Sequence, residues 1–248
     1  MAILKADVDN MGKFLEKSDV TDSFQNFDKF SKTMDNFFSL YIPNMMKKKY
    51  KNTYTVFAGG DDLFLLGAWD EVLEMAREIE HEFKAFVNSD ELSISFGIAI
   101  AKPSTPISYL ADYTEKLLED AKDIDDGKEV AHPKDAISLF GETVKWKEYK
   151  EVYKNLYGSL EEHLNTAFLY RLLELIEMSK KVKYHIPSTM WKSKFRYSFN
   201  RNVLEKMKSD NDRKKAEEIL ELLGGLIDKS PKETKMVVNE FIYKRRES

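Results

Sequence analysis

The 248 residues are 42% apolar and 12% aromatic, enough for a hydrophobic core and too much for global disorder, and they allow one large domain or two of ordinary size. A net charge of −4 with 33% charged residues excludes wholesale coating of a nucleic acid and leaves only local basic patches. The absence of cysteine excludes disulfides, thiolate zinc sites and cysteine nucleophiles and fits a cytoplasmic protein, and no run approaches the ~20 apolar residues of a membrane span.

In chain order, Ala2 to Val8 alternates apolar and polar residues and leads into Asp7-Val-Asp-Asn-Met-Gly12, which predicts a first strand ending in an acidic loop. The chain opens almost directly on this core strand, as a piece excised from a longer protein would. From Thr21 to Lys49, Phe24, Phe27, Met34, Phe37, Phe38 and Tyr41 recur at three- and four-residue steps. The spacing predicts an amphipathic helix with an aromatic core stripe, interrupted or ended near Pro43 and closed by Lys47-Lys48-Lys49.

Thr55-Val-Phe-Ala-Gly-Gly-Asp-Asp-Leu-Phe-Leu-Leu66 is an apolar run, a Gly59-Gly60-Asp61-Asp62 turn and a second apolar run. It predicts a buried β-hairpin with two carboxylates at its tip. The two glycines permit φ > 0 and let a ligand approach without meeting a Cβ. Adjacent acids repel each other, and a cation is the usual reason to tolerate them; a solvated turn is the plain alternative.

Trp69 to Asn88 predicts a helix with Val72, Met75, Ile79 and Phe83 on one face, and Leu92 to Ala101 a strand whose Gly97 implies close approach of another backbone. Ile107 to Ala121 follows as a helix and Ala136 to Phe140 as a last short strand. The order β-α-β-β-α-β is the ferredoxin-like arrangement of an α+β domain. In it the first strand and the hairpin lie side by side, with Asp7 and Asp9 facing Asp61 and Asp62 across one end of the sheet. Carboxylates converging from two strands suit magnesium, and two such ions about 3.5–4 Å apart can activate a hydroxyl and stabilise a pyrophosphate leaving group.

Beyond Gly141 the pattern is helical, with three- and four-residue spacing over Trp146 to Tyr157, Leu164 to Met178, Phe199 to Met207, Ala216 to Leu223 and Glu233 to Tyr243. Two domains are expected, residues 1–141 and an all-α bundle over 142–248. Within the bundle, Lys180 to Arg201 holds seven Lys/Arg, no acid, and the aromatics Tyr184, Trp191, Phe195, Tyr197 and Phe199. Two readings stay open there: single-stranded RNA held by phosphate contact and stacking, or core aromatics beside a solvated basic face.

These pieces resemble the palm domain shared by nucleotidyl cyclases and polymerases, and more closely the second palm of the large subunit of type III CRISPR effector complexes of the Csm kind. The resemblance rests on Leu4-Lys-Ala-Asp-Val-Asp-Asn-Met-Gly12, Tyr54-Thr-Val-Phe-Ala-Gly-Gly-Asp-Asp-Leu-Phe64, Ser93-Ile-Ser-Phe-Gly-Ile98 and Ala121-Lys122 with Lys128, over about residues 1–140. The helical remainder is similar to that subunit's C-terminal domain. The family implies antiviral defence: on recognising foreign RNA, the complex joins ATP 3′ to 5′ into cyclic oligoadenylate second messengers.

Carried over by position, Asp7 and Asp61 would hold catalytic magnesium (or manganese), with the Val8 carbonyl as a third ligand. Asp62 would share that metal or help deprotonate the attacking 3′-hydroxyl, and Asp9 matches the motif with loop capping as its plainer role. The amides of Asn10, Met11 and Gly12, with Gly59 and Gly60 at the turn, would receive the triphosphate, and Lys122 and Lys128 would neutralise its β- and γ-phosphates. Related diguanylate cyclases carry Gly-Gly-Asp/Glu-Glu-Phe and a guanine-reading Asn; here Asp62 is followed by Leu63 and Leu15 stands near the place of that Asn, which favours ATP over GTP.

No His-Asp doublet occurs, so the family's phosphohydrolase-type nuclease domain and its DNA cutting are not expected in this stretch. The first palm, whose face holds the second nucleotide, is also outside it. The resemblance therefore implies partners: that first palm or a second copy of the chain, other effector subunits, crRNA and target RNA, and no membrane. A free-standing homodimeric nucleotide cyclase and a non-catalytic nucleotide-binding or interaction module are the alternatives.

Overall fold

In the first 145 residues a six-stranded sheet is built around β1 (Ala2–Asp9), with β2 (Thr53–Gly59), β3 (Asp62–Gly67), β4 (Ser93–Ile100), β5 (Ala136–Leu139) and β6 (Glu142–Lys145) in the order β2-β3-β1-β4-β5-β6. The computed structural model describes residues 1–17, 19–89, 91–124, 134–160 and 164–247. The chain divides into two units, Met1–Lys145 and Trp146–Ser248. β1 is antiparallel to both β3 and β4, and β4 is parallel to β5. The first four strands thus have the 2-3-1-4 order of a ferredoxin-like β-α-β-β-α-β unit, as the periodicity predicts. Ala2, Ile3, Leu4 and Ala6 are all buried, so both faces of β1 are covered, as befits a central strand.

Among the described residues five α-helices complete this unit: α1 (Met11–Lys17), α2 (Phe24–Asp35), α3 (Ile42–Lys49), α4 (Trp69–Val87) and α5 (Ile107–Lys122). α5 lies directly on β4. A Cβ on Gly97 would stand 2.4 Å from the Leu118 nitrogen and 2.6 Å from the Thr114 carbonyl oxygen, so the absence of a side chain sets how closely helix and sheet approach. Val72, Met75, Ile79 and Phe83 of α4 are fully buried, as their spacing predicts.

Of the interruption or end expected near Pro43, the interruption is what occurs: a π-helical turn, Asn36–Tyr41, joins α2 to α3, and the Ile42 amide bonds the Phe37 carbonyl five residues back. The proline, which has no N–H to give the ladder, follows directly on that turn as the second residue of α3. A second expectation is corrected. The aromatic stripe is core only from Met34 onward. Phe37 packs edge-on against Phe38 and Phe83, with ring centroids 5.4 Å apart in both pairs, whereas Phe24 is 83% exposed and Phe27 44%.

The strand β6 extends the predicted topology. Phe140 and Gly141, with φ of 54° and 73°, form the two-residue connection between β5 and β6. Two consecutive positive φ values are those of the type I′ hairpin turn, whose twist matches that of the strands it joins.

The second unit is all helical, with α6 (Trp146–Leu156), α7 (Thr166–Lys180), α8 (Trp191–Asn202), α9 (Asp210–Lys229) and α10 (Pro231–Glu247). Phe168 of α7 meets Phe199 of α8 edge-on at 5.5 Å, and the Tyr149 hydroxyl of α6 donates to buried Glu240 of α10 at 2.6 Å. The helix expected over Phe199 to Met207 lies further upstream, because buried Trp191, Phe195 and Phe199 recur every four residues and fix α8 there; a short 3-10 turn, Leu204–Lys206, follows it. Among the described residues no helix is long and apolar enough to cross a membrane.

Candidate functional site

The hairpin tip is the tight Gly59-Gly60-Asp61-Asp62 turn that the sequence predicts. Gly59 and Asp62 are ladder partners, which leaves Gly60 and Asp61 as the connection. Gly60 has φ of 65°, a conformation that costs an L residue roughly 1–2 kcal/mol, and this is the physical need for glycine there. The Val8 amide donates to the Asp61 carbonyl at 3.2 Å and pins the tip to the end of β1. In the same register Asp7 stands directly opposite Asp62. Asp7, Val8, Asp61 and Asp62 are therefore brought together at one end of the sheet.

The two carboxylates of the tip serve different cavities. Asp62 shares a cavity of about 300 Å³ with Asp7, Lys5, Phe64, Glu115 and Lys122. Asp61 and Gly60 border a second cavity, of about 450 Å³, with Met11, Leu15, Phe27 and Phe30 from α1 and α2. Its apolar lining answers to the partly exposed Phe27.

Lys122, in the last turn of α5, forms an ion pair with Asp7. Even so, the Asp7 carboxyl is pushed up to about 7: burial raises it most, the Asp62 carboxylate raises it further, and Lys122 only partly offsets both. Lys5, two residues upstream on the same face of β1, is held 2.5 Å from Glu115 and lies over the Phe64 ring at 5.2 Å. Lys5 and Glu115 escaped the sequence reading. Their signal was spacing: Lys5 is one strand repeat from Asp7, and Glu115 is two helical turns from Lys122.

Asn10, at φ 58°, turns the chain from β1 into Met11 and Gly12 of α1, and the Phe14 amide closes the first helical turn on the Asn10 carbonyl. A Cβ on Gly12 would meet nothing within 4 Å, and one on Gly59 only a Phe57 ring atom at 3.9 Å, so both positions are open to a ligand. Lys128 lies outside the described residues.

Asp9 does not join the other acids, contrary to the expected face-to-face arrangement. It is 1% exposed, and its Oδ2 accepts from Ser93 Oγ at 2.7 Å, Ser95 Oγ at 2.8 Å and the Asp135 amide at 2.9 Å. β3 begins opposite Asp7, so Asp9 lies beyond it and its partners come from β4 and from Asp135, just before β5.

The donors fit a divalent cation. Asp7 and Asp62 are hard-oxygen ligands held side by side, and the raised Asp7 carboxyl marks a pair short of positive charge. Among the described residues no group of three or more His, Cys, Asp or Glu stands close enough together to hold an ion by itself. The set is of the kind magnesium uses when one or two carboxylates share it with substrate phosphates.

A 2-3-1-4 sheet with opposed acids at the end of its central strand and hairpin defines a palm domain, here followed by a helical bundle. The family described as Cas10/Cmr2, second palm domain, matches residues 1–131, and the chain belongs to it. The CRISPR system single-strand-specific deoxyribonuclease Cas10/Csm1 (subtype III-A) of Methanocaldococcus jannaschii is 32% identical over 203 residues, covering 74% of this chain and 24% of that protein. The chain spans about a quarter of the length of the curated relatives it matches. Two solved structures share the fold. A Csm1-Csm4 cassette in complex with cA4 matches at a TM-score of 0.65 and 23% identity, covering 92% of this chain and 36% of that one. A Csm1-Csm4 cassette in complex with one ATP matches at 0.62 and 22%, with the same coverage.

Proposed function

We propose that this chain is the ATP-using palm of a type III-A CRISPR effector subunit, joining ATP into 3′–5′ cyclic oligoadenylates for antiviral defence when target RNA is bound. The observation that carries this reading is the opposition of Asp7 and Asp62 across the β1–β3 ladder, with Lys122 against Asp7. It is supported by the solved relatives, which hold ATP in one case and cA4 in another.

Asp7, Asp61, Asp62 and the Val8 carbonyl would hold magnesium, with manganese as a substitute. Bound there, the metal supplies charge neutralisation to the attacking 3′-hydroxyl and the pyrophosphate leaving group. Asp62, exposed at the tip, shares that metal or helps to take the hydroxyl proton. Lys122 and Lys128 neutralise the β- and γ-phosphates, and the amides of Asn10, Met11 and Gly12 receive the triphosphate where Gly59 and Gly60 leave room. The cavity lined by Leu15, Phe27 and Phe30, with Ser31, Lys32 and Asp35 also on its wall, takes the base; its volume suits a nucleoside, and Leu15 in the approximate place of the guanine-reading Asn favours adenine over guanine. A first palm of the same subunit, or a second copy of the chain, completes the cleft by holding the second nucleotide. Other effector subunits, crRNA and target RNA supply the signal that starts synthesis.

Calorimetric titration of ATP and GTP into the purified chain, with magnesium and then with EDTA, tests the reading. Magnesium-dependent ATP binding, weaker for GTP and lost in the Asp61→Ala/Asp62→Ala double variant, is expected. In a reconstituted two-palm assembly that variant should lose about 10³-fold or more in synthesis, roughly 4 kcal/mol of transition-state stabilisation. Near-normal synthesis by it would mean that the site is elsewhere, and robust synthesis by a strict monomer would remove the need for a second palm.

A further inference from the structure

The basic and aromatic stretch from Lys180 to Arg201 is sorted into a buried half and an exposed half. Trp191, Phe195 and Phe199 are 4%, 2% and 0% exposed and belong to the core of the helical unit. On the flank of α8, Lys192 pairs with Asp228 and Arg196 with Glu221, both of α9, while Lys180 pairs with Glu177. These residues answer to the plainer of the two readings.

The remainder faces solvent. Lys181 to Pro187 is a continuous exposed run between α7 and α8, and it is well fixed: the Tyr184 and His185 amides both donate to the Lys181 carbonyl at 3.0 Å, and the Ser188 amide donates to the His185 carbonyl at 2.9 Å. It presents Lys181, Lys183 and a Tyr184 ring that is 89% exposed. Down one side of α8, Lys194, Tyr197 and Arg201 follow at helical spacing, with Tyr197 65% exposed and Arg201 donating to its hydroxyl at 3.1 Å. Lys181, Lys183 and Lys194 have no acidic partner among the described residues. In a chain of net charge −4, a 22-residue window without a single acid presents Lys181, Lys183 and Lys194, and Arg201 with only the nearby Glu205, interleaved with two mostly exposed rings.

We propose that this exposed half is a binding surface for single-stranded nucleic acid, with phosphates against Lys181, Lys183, Lys194 and Arg201 and bases stacked on Tyr184 and Tyr197. An acidic protein would use the cations but brings no row of flat bases to stack on the two rings, and a duplex offers no free base face. A single strand uses both. The fixed turn holds Tyr184 outward before binding, so stacking orders little further chain.

Fluorescence anisotropy of a labelled oligouridine, an oligothymidine and a duplex, each about 20 nucleotides long, titrated with the full chain between about 50 and 200 mM salt, tests this. The single strands should bind more tightly than the duplex, and the RNA and DNA arms distinguish the two sources of strand. Lys181→Ala/Lys183→Ala/Lys194→Ala should flatten the salt dependence by about two in log–log slope. Tyr184→Ala/Tyr197→Ala should weaken binding about tenfold or more at unchanged slope. All five positions are exposed, and circular dichroism checks that each variant keeps the fold. No binding at low salt, duplex binding as tight as that of the single strands, or full affinity in both variants would each overturn the proposal. So would affinity for an acidic protein partner without any for either strand.

Discussion

Asp62 is the direct antiparallel partner of Asp7, so main-chain pairing holds two carboxylates side by side where side chains alone would keep them apart. The repulsion is built into the register. Lys122 reaches Asp7 from α5, yet burial and Asp62 still leave that carboxyl at about 7. Such a pair is poised to take up positive charge, and its protonation state reports on whatever supplies it.

The first prediction is a pH dependence of stability. Asp7 has its folded value raised from 3.8 to about 7, so between those limits the native state holds a proton that the unfolded chain releases. The stabilisation from that proton is complete below about pH 4 and is lost as pH rises through about 7. Calorimetric melting in the absence of divalent ions should show wild type losing ground to Asp7→Asn from pH 5 to 8 and no further above it. Asp62→Asn removes the neighbouring charge and should shift the midpoint of this loss to lower pH. A wild-type to Asp7→Asn difference that is constant across the range would show that Asp7 titrates as an ordinary carboxylate.

Lys122→Ala removes the cation that faces Asp7 and leaves two acids opposed at the end of the sheet. A charge-assisted hydrogen bond contributes roughly 1.5–3 kcal/mol, and both partners keep some solvent access, so a loss of about 1–2 kcal/mol is expected at pH 8. At pH 5, where Asp7 is protonated, the loss should shrink. Urea denaturation at the two pH values measures it, and an equal loss at both would mean that Lys122 contributes packing rather than charge.

The turn of the hairpin, the strand order and the close contact at Gly97 were legible in the sequence, because period-two runs, glycine placement and the β-α-β-β-α-β order are local signals. The hairpin expected to be buried, however, has an exposed edge strand, β2, with Tyr54, Val56 and Phe57 65%, 47% and 54% exposed. The α2 stripe was not. Phe27 and Met34 are two turns apart and share a face of α2, yet only from Met34 onward is that face buried, with Phe37 and Phe38 packed against Phe83 of α4. Spacing shows which face is apolar and not how far along the helix it is covered. Asp9 was misread because alternation correctly puts it on the same face as Asp7 but does not show that β3 begins only opposite Asp7. The Lys122–Asp7 pair joins residues 115 apart, and only the docking of α5 on β1 brings them together.

The aromatic cluster under α4 yields a contrasting pair of variants. Phe83 is fully buried against Phe37 and Phe38, so Phe83→Ala leaves a cavity and should cost about 3–5 kcal/mol. Phe24 comes from the same apparent stripe but is 83% exposed, and Phe24→Ala should stay within about 0.5 kcal/mol of wild type. Chemical denaturation of both variants measures the two effects, and a large loss at Phe24 would mean that α2 packs differently.

Gly97→Ala tests how the site is held together. The new methyl would meet main-chain atoms of α5, at Leu118 and Thr114, which have no rotamer to change, so helix and sheet must separate. Overpacking of this kind costs about 1–3 kcal/mol. The same helix carries Glu115 and Lys122, whose partners Lys5 and Asp7 lie on β1, and Lys5 is the register partner of Gly97 itself. Separation should therefore loosen both ion pairs, and ATP affinity in the calorimetric titration should fall along with the melting temperature. Gly59→Ala is the control: its methyl would touch only a Phe57 ring atom at 3.9 Å, so stability should hold within about 0.5 kcal/mol while nucleotide binding at the tip weakens. If Gly97→Ala lowers stability but leaves ATP affinity intact, α5 does not position the site, and the role given to Lys122 has to be withdrawn.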